Sequence, residues 1–372
     1  MGVAKNLEVD KGYIRALAKL EERIQSLRQS KARLLRRLEQ EKEKRQELRT
    51  ALRLAIKDCI DAIALPDVQC QADQGRSDGH PEQAIFVLSD WQIGKTTPTY
   101  STAICEARIH EYIKRSLHIV AMHREMKRVD TARVYLLGDI VEGELIFPGQ
   151  AHEIDSSLFK QAATDAPRVI SWVLRELASN FENVFVVCIH GNHGSLGGRQ
   201  RREYRPDSNA DNFAYEISRA LTSQIHNVKW LWPQCVKHWY ATDQIGKKKF
   251  LLFHGDQMRG GGFAGIPFYA FSRAIHSWAS GAIPESFDYA ICGHWHQGAS
   301  LPFNFRTLWI NGSVESYNVY AQEQLKSMSA PHQWLLFCHP EKGVTAEYRI
   351  WLSANPYGYS KGSRGGKRNR IN

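Results

Sequence analysis

The sequence predicts an α/β domain preceded by a long basic helical segment. Three observations carry this expectation. From Ala84 onward, short apolar runs of β-forming residues alternate with amphipathic helical stretches. Five of those runs end in a small polar cluster of Asp, Asn, Gln or His. Residues 7–64 instead repeat leucine and isoleucine at alternating spacings of three and four.

In chain order, residues 1–66 form the helical segment, as one long helix or a helical hairpin. Its seam is Leu17, Leu20, Ile24, Leu27, Leu34, Leu38, Leu48 and Leu52. Lys31, Glu41 and Arg45 interrupt the seam, which disfavours a long perfect coiled coil. Pro66 stops the helix. Residues 67–83 are polar, contain Gly75, Gly79 and Pro81, and read as a linker. The catalytic domain is expected over 84–352. Its buried strands are 84–90, 133–139, 183–192, 249–256 and 289–294, and its helices are 104–128, 157–179, 209–224 and 267–280. After His296 the chain is mostly β, through 301–314 and the runs near 333–352. Residues 353–372 read as a basic flexible tail.

The 372 residues carry a formal net charge of +10, and its placement matters more than its size. Residues 1–64 hold 16 Lys and Arg against 10 Asp and Glu, and the stretch 361–372 holds five basic residues and no acid. The remainder is therefore almost neutral. Basic appendages on a neutral core suit a polyanionic partner. The seven cysteines are dispersed without a CxxC pair, which fits a reducing compartment rather than a disulfide framework. No apolar run is long enough to cross a bilayer and no secretory leader pattern opens the chain, so the expected location is the cytoplasm, with no membrane partner.

The five clusters are Ser89-Asp90-Trp91-Gln92, Gly138-Asp139-Ile140-Val141-Glu142, Gly191-Asn192-His193, His254-Gly255-Asp256 and Gly293-His294-Trp295-His296. α/β sheets place ligands beyond the carboxyl ends of their strands, and every cluster starts at such an end. Carboxylates, amides and imidazoles are oxygen and nitrogen ligands for divalent cations. Taken singly, Asp90 and Asp139 read as ordinary strand-end turn residues and His254 as a satisfied histidine, while Gly191-Asn192-His193 and Gly293-His294-Trp295-His296 are rarer patterns balanced between that reading and a ligand. Together and in this order they point to one two-metal centre, whose chemistry is in-line displacement at phosphorus.

This ordered set is similar to the motifs of the calcineurin-like metallophosphoesterase superfamily, over about residues 84–315. The resemblance implies a sandwich of two mixed sheets flanked by helices. It implies that Asp90, Gln92, Asp139 and His296 hold a first metal. Asp139, Asn192, His254 and His294 would hold a second, with Asp139 bridging. It makes His193 the catalytic imidazole, acting with Asp139, and gives Glu142 the task of orienting a neighbour. One position departs: the first motif normally reads Asp-x-His, and Gln92 stands in place of the histidine. A neutral carbonyl oxygen there favours Mn²⁺, with Mg²⁺, Zn²⁺ or Fe as alternatives.

The substrate is less defined. The loop after Gly191-Asn192-His193 carries Arg199, Arg201, Arg202 and Arg205, and the loop after His254 carries Arg259. Arginines can grip phosphates bidentately. With the basic ends, they favour nucleic acid, and the expected activity is that of a nuclease resembling the Mre11 type, on DNA or RNA. A small-nucleotide pyrophosphohydrolase or phosphodiesterase, a phosphoprotein phosphatase, and a non-enzymatic scaffold are the alternatives. The leucine seam implies a covering surface, and a homodimer through the helix is the expected assembly.

Overall fold

The structure is a computed structural model. It describes residues 80–353 apart from 199–204, 206, 232–238, 261, 263–264 and 317–328, together with 22–54 apart from 24, 41, 44–45, 48–49 and 51–53. Most of the expected linker, the basic tail from 354 onward, and Arg199, Arg201 and Arg202 lie outside the described residues. The chain divides into two compact units, Met1–Leu65 and Pro66–Asn372. In the first, every described residue from 22 to 54 is helical. Its seam leucines Leu27, Leu34 and Leu38 are exposed, as is Leu35 beside them.

The second unit is a two-sheet sandwich. One sheet has strand order β11-β10-β1-β2-β3-β4. Its strands β1 (Gln83–Leu88), β2 (Thr131–Leu136), β3 (Asn183–Cys188) and β4 (Val228–Trp230) run parallel. β10 (His332–His339) adds antiparallel to β1, and β11 (Gly343–Trp351) antiparallel to β10. The other sheet has order β5-β6-β7-β9-β8. There β6 (Lys248–Phe253), β7 (Tyr289–Cys292) and β9 (Arg306–Ile310) are parallel, while β5 (Tyr240–Ile245) and β8 (Ala299–Phe303) are antiparallel edges. Both sheets are mixed, as expected.

The elements follow from residue type. Ala84, Ile85, Phe86, Val87 and Leu88 on β1 are all completely buried, which is why this strand reads as an unbroken apolar run rather than an alternating one. Each of the larger ones contributes about 1.5–3 kcal/mol by leaving water. Helix α1 (Thr102–Arg124) starts at Ser101, whose hydroxyl accepts from the Ile104 amide. The next helix begins at Leu158, passes through a π-turn at Gln161–Asp165, and continues as α2 (Ala166–Asn180). α2 buries Val169, Ile170, Val173, Leu174 and Leu177 on one face. α3 (Ala210–Leu221) is capped by Asn209 and packs on α2, and α4 (Phe268–Ser277) packs on β8.

The sheets are joined by polar contacts as well as apolar ones. Arg133 and Tyr135 on β2 reach Asp243 on β5, at 2.9 and 2.8 Å. Two strands had no expectation from sequence. β4 is only three residues long, and β5 reads Tyr-Ala-Thr-Asp-Gln-Ile, too polar to mark as a strand. The β-rich run 301–314 holds the end of a hairpin that turns at Asn304-Phe305.

Candidate metal centre

β1, β2 and β3 are neighbours in one sheet, and β6, β7 and β9 are neighbours in the other. Their carboxyl ends lead into all five polar clusters. The backbone there is unusual. Among the described residues, six non-glycine residues have positive φ, and five of them are Asp90, Gln92, Asp139, His294 and His296. Left-handed backbone is costly for such residues and persists where the surroundings impose it. The loops also touch. A Cβ on Gly191 would lie 2.1 Å from Asp139 Oδ1, and one on Gly293 would lie 2.4 Å from Asp90 Oδ2. Only glycine lets these strand ends approach so closely.

The tightest convergence surrounds His254. Its Nδ1 donates to the Leu137 carbonyl at 2.7 Å. That leaves Nε2 facing the cluster. Around Nε2 stand Asp139 Oδ2 at 3.0 Å, Asn192 Oδ1 at 3.2 Å and His294 Nδ1 at 3.3 Å. A carboxylate oxygen, an amide oxygen and two imidazole nitrogens converging on one point need a positive charge among them, which a proton on Nε2 or a divalent cation can supply, and these atom types fit a divalent metal. Asp139, His254 and His294 also stand together as a group able to hold an ion. Burial opposes the ionised form of Asp139, but His254 and His193 hold it well below the usual carboxylate range. Burial would lower His254, and Asp139 outweighs it, raising it to about 10. Burial and then the neighbouring His254 push His294 down to about 4, which keeps its lone pair available.

His193 sits beside this cluster. Its backbone amide donates to Asp139 Oδ1 at 2.8 Å. Its Nδ1 donates to the Glu142 backbone carbonyl at 3.1 Å, with Glu142 Oε2 also 3.1 Å away, so Glu142 orients the ring, and Nε2 points inward, 3.9 Å from Asp139 Oδ2. Burial acts to lower its pKa, but Asp139 and Glu142 prevail and raise it to about 9.

The remaining expected ligands form an adjoining group. Asp90 accepts from the His294 backbone amide at 2.9 and 3.0 Å, and its Oδ1 is 3.4 Å from His296 Nε2. His296 Nδ1 lies 2.8 Å from Glu315 Oε1. Burial works against its charged form, yet Glu315 and Asp90 raise it to about 10. Gln92 turns its Oε1 to Lys95 Nζ at 3.0 Å and its Nε2 to His296 Nε2 and His193 Nε2, at 3.4 and 3.5 Å. Of the expected phosphate-binding arginines, Arg205 is paired with Asp207 at 2.7 Å, and Arg259 is exposed.

Sequence reasoning missed four residues here. Lys95 and Glu315 form a buried ion pair beside Gln92 and His296. Glu315 follows β9 much as the other clusters follow their strands, and that placement was the available signal. Asp211 accepts from the backbone amides of Asp139, Ile140, Val141 and Gly191, at 2.9, 3.1, 3.1 and 2.9 Å. Asn209 bonds the Gly191 carbonyl and the Asp211 amide, both at 2.8 Å. These two tie the β2 and β3 loops to the start of α3, and a helix cap gives no hint of that role.

No family model matches the chain, and no curated protein matches it. Among solved structures it is similar to the zinc complex of Vps29 from Entamoeba histolytica, at 13% identity and TM-score 0.32, covering 73% of this chain and 99% of that one. It is also similar to a predicted phosphoesterase from Streptococcus pneumoniae, at 13% identity and TM-score 0.29, covering 72% and 98%. A hypothetical protein from Pyrococcus horikoshii matches at 11% identity and TM-score 0.36, covering 73% and 90%. These superpositions are weak, and the fold rests on the strand order and register given above.

Proposed function

We propose that this protein is a divalent-metal-dependent phosphodiester hydrolase of the calcineurin-like metallophosphoesterase superfamily, and that its substrate is nucleic acid. One observation carries the hydrolase: Asp139, Asn192 and His294 converge on Nε2 of His254, with His193 alongside. A divalent cation would be held by these four ligands and would supply Lewis-acid charge at the phosphoryl oxygens. Asp139 and Glu142 favour the charged form of His193 against its burial. Glu142 holds its Nδ1, so Nε2 is the atom that passes a proton to the departing oxygen. Buried carboxylates Asp139 and Glu142 keep that ring fixed in both rotation and charge.

Nucleic acid is favoured over a small nucleotide or phosphoprotein because the positive charge lies in the segments 1–64 and 361–372 rather than in the core. A small substrate has no use for a distributed positive surface. The helical segment serves assembly: its exposed Leu27, Leu34 and Leu38 pair with those of a second copy. Light scattering on Leu34→Glu tests this, with a monomer expected.

The test of activity is a panel of single- and double-stranded DNA and RNA oligonucleotides with Mn²⁺. Cleavage is expected in wild type. His193→Ala should bind the same oligonucleotides and cleave them about 10²–10⁴-fold more slowly. Hydrolysis of bis(p-nitrophenyl) phosphate with no cleavage of any oligonucleotide would exclude the nuclease.

A further inference from the structure

The group formed by Asp90, Gln92, Lys95, His296 and Glu315 does not have the donor set of a second cation site, and the reason lies in one side-chain amide. An amide has an acceptor oxygen and a donor NH₂ that carries no lone pair for a metal. A lysine ammonium only donates. The Gln92 amide atom 3.0 Å from Lys95 Nζ must therefore be its oxygen. The NH₂ is then the end turned toward His296 and His193. Turning the amide over would set NH₂ against an ammonium at 3.0 Å, the shortest of the three polar contacts of this amide.

Lys95 is held firmly in this position. Its Nζ pairs with Glu315, whose side chain is 2% exposed, while that of Lys95 is 14% exposed. Glu315 in turn bonds Nδ1 of His296 at 2.8 Å. Ammonium, carboxylate and imidazole thus form one chain of contacts bracketing Gln92. Lys95 brings a positive charge against Gln92 and Glu315, beside a position where the superfamily pattern would place a metal ligand. A cation entering there would meet an NH₂ dipole pointing the wrong way and a nearby like charge.

We propose that this chain binds one divalent cation, through Asp139, Asn192, His254 and His294, and that Lys95 bars the second by fixing the Gln92 amide and supplies positive charge there itself. The inference rests on the metal-centre reading above and deepens it. Lys95 is a positioning residue: it acts on the reacting centre through Gln92 and through its own charge.

The test counts metal without using turnover. Purified full-length protein is titrated with Mn²⁺ by calorimetry, and bound Mn²⁺ is counted by elemental analysis and examined by electron paramagnetic resonance. Wild type is expected to hold one Mn²⁺ per chain, with the six-line spectrum of an isolated ion. The double variant Gln92→His with Lys95→Met is expected to hold two, with an exchange-coupled spectrum, its second ion at least about 100-fold tighter than in wild type. Lys95→Met alone frees the amide to turn and should gain a weaker second ion. Two tightly held ions in wild type, or a coupled spectrum, would overturn the inference and leave the hydrolase reading standing. No Mn²⁺ bound in wild type would overturn both. If the double variant does not fold, the wild-type stoichiometry and spectrum still decide the matter.

Discussion

Replacement of Asp211, outside the metal ligands, should be costly. Its carboxylate is completely buried and accepts four backbone amides. Oδ2 takes those of Asp139 and Gly191, and Oδ1 those of Ile140 and Val141. Asp211→Asn keeps the shape but turns one oxygen into an NH₂. Whichever way the amide lies, two buried donors lose their acceptor and face a third donor. Each orphaned donor costs about 1–3 kcal/mol, so about 4 kcal/mol is expected for the pair. With a urea slope of about 3 kcal/mol/M, the unfolding midpoint should fall by more than about 1 M. Circular dichroism across a urea series measures this. The same loops carry Asp139 and Asn192, so Mn²⁺ affinity should fall in parallel. A midpoint within about 0.3 M of wild type would refute the claim that Asp211 ties these loops together.

Other expectations follow from single contacts. Asp243→Ala leaves the buried Arg133 guanidinium without its carboxylate and should cost about 3–5 kcal/mol in denaturant unfolding; replacing Arg133 with Met as well should recover part of that loss. Glu82 is buried, which alone would raise its pKa, but hydrogen bonds from His123, Thr345 and Lys127 lower it from 4.5 to about 2. A depressed carboxylate adds stability above its unfolded pKa and loses it as pH falls through the folded one. The stability gap between wild type and Glu82→Gln should therefore be constant above about pH 5 and close between 4.5 and about 2; a gap unchanged at pH 2.5 would contradict it. Glu142→Gln removes a carboxylate that helps raise His193, so the basic limb of the pH–rate profile should move to lower pH while Mn²⁺ binding persists; an unmoved limb would remove Glu142 from that role.

Much of this centre was legible because its chemistry sits in short segments. Gly191-Asn192-His193 and Gly293-His294-Trp295-His296 announce themselves: glycine permits the close approach, and the next residues are ligands by type. The helices and the buried strands were legible for a similar reason, since α2 and β1 bury regular apolar sets. Lys95, Glu315 and Asp211 were not. A lysine, a glutamate and an aspartate in loops and caps are ordinary surface residues until the fold closes over them. β5 was hidden because its most telling residue, Asp243, is a buried acid paired with Arg133 from the other sheet. Gln92 was visible as a departure from the superfamily pattern, but its consequence depends on which atom faces Lys95, and only three-dimensional placement gives that.

The central claim is that the ligands around His254 hold a cation that this protein uses to cleave phosphodiesters. The most direct measurement is the rate of bis(p-nitrophenyl) phosphate hydrolysis by purified protein after chelation and after Mn²⁺ is restored, compared with His254→Ala. Wild type should lose activity with the metal and regain it on addition, and His254→Ala should stay inactive in Mn²⁺. Equal turnover in chelator, or a His254→Ala variant as active as wild type, would contradict the account.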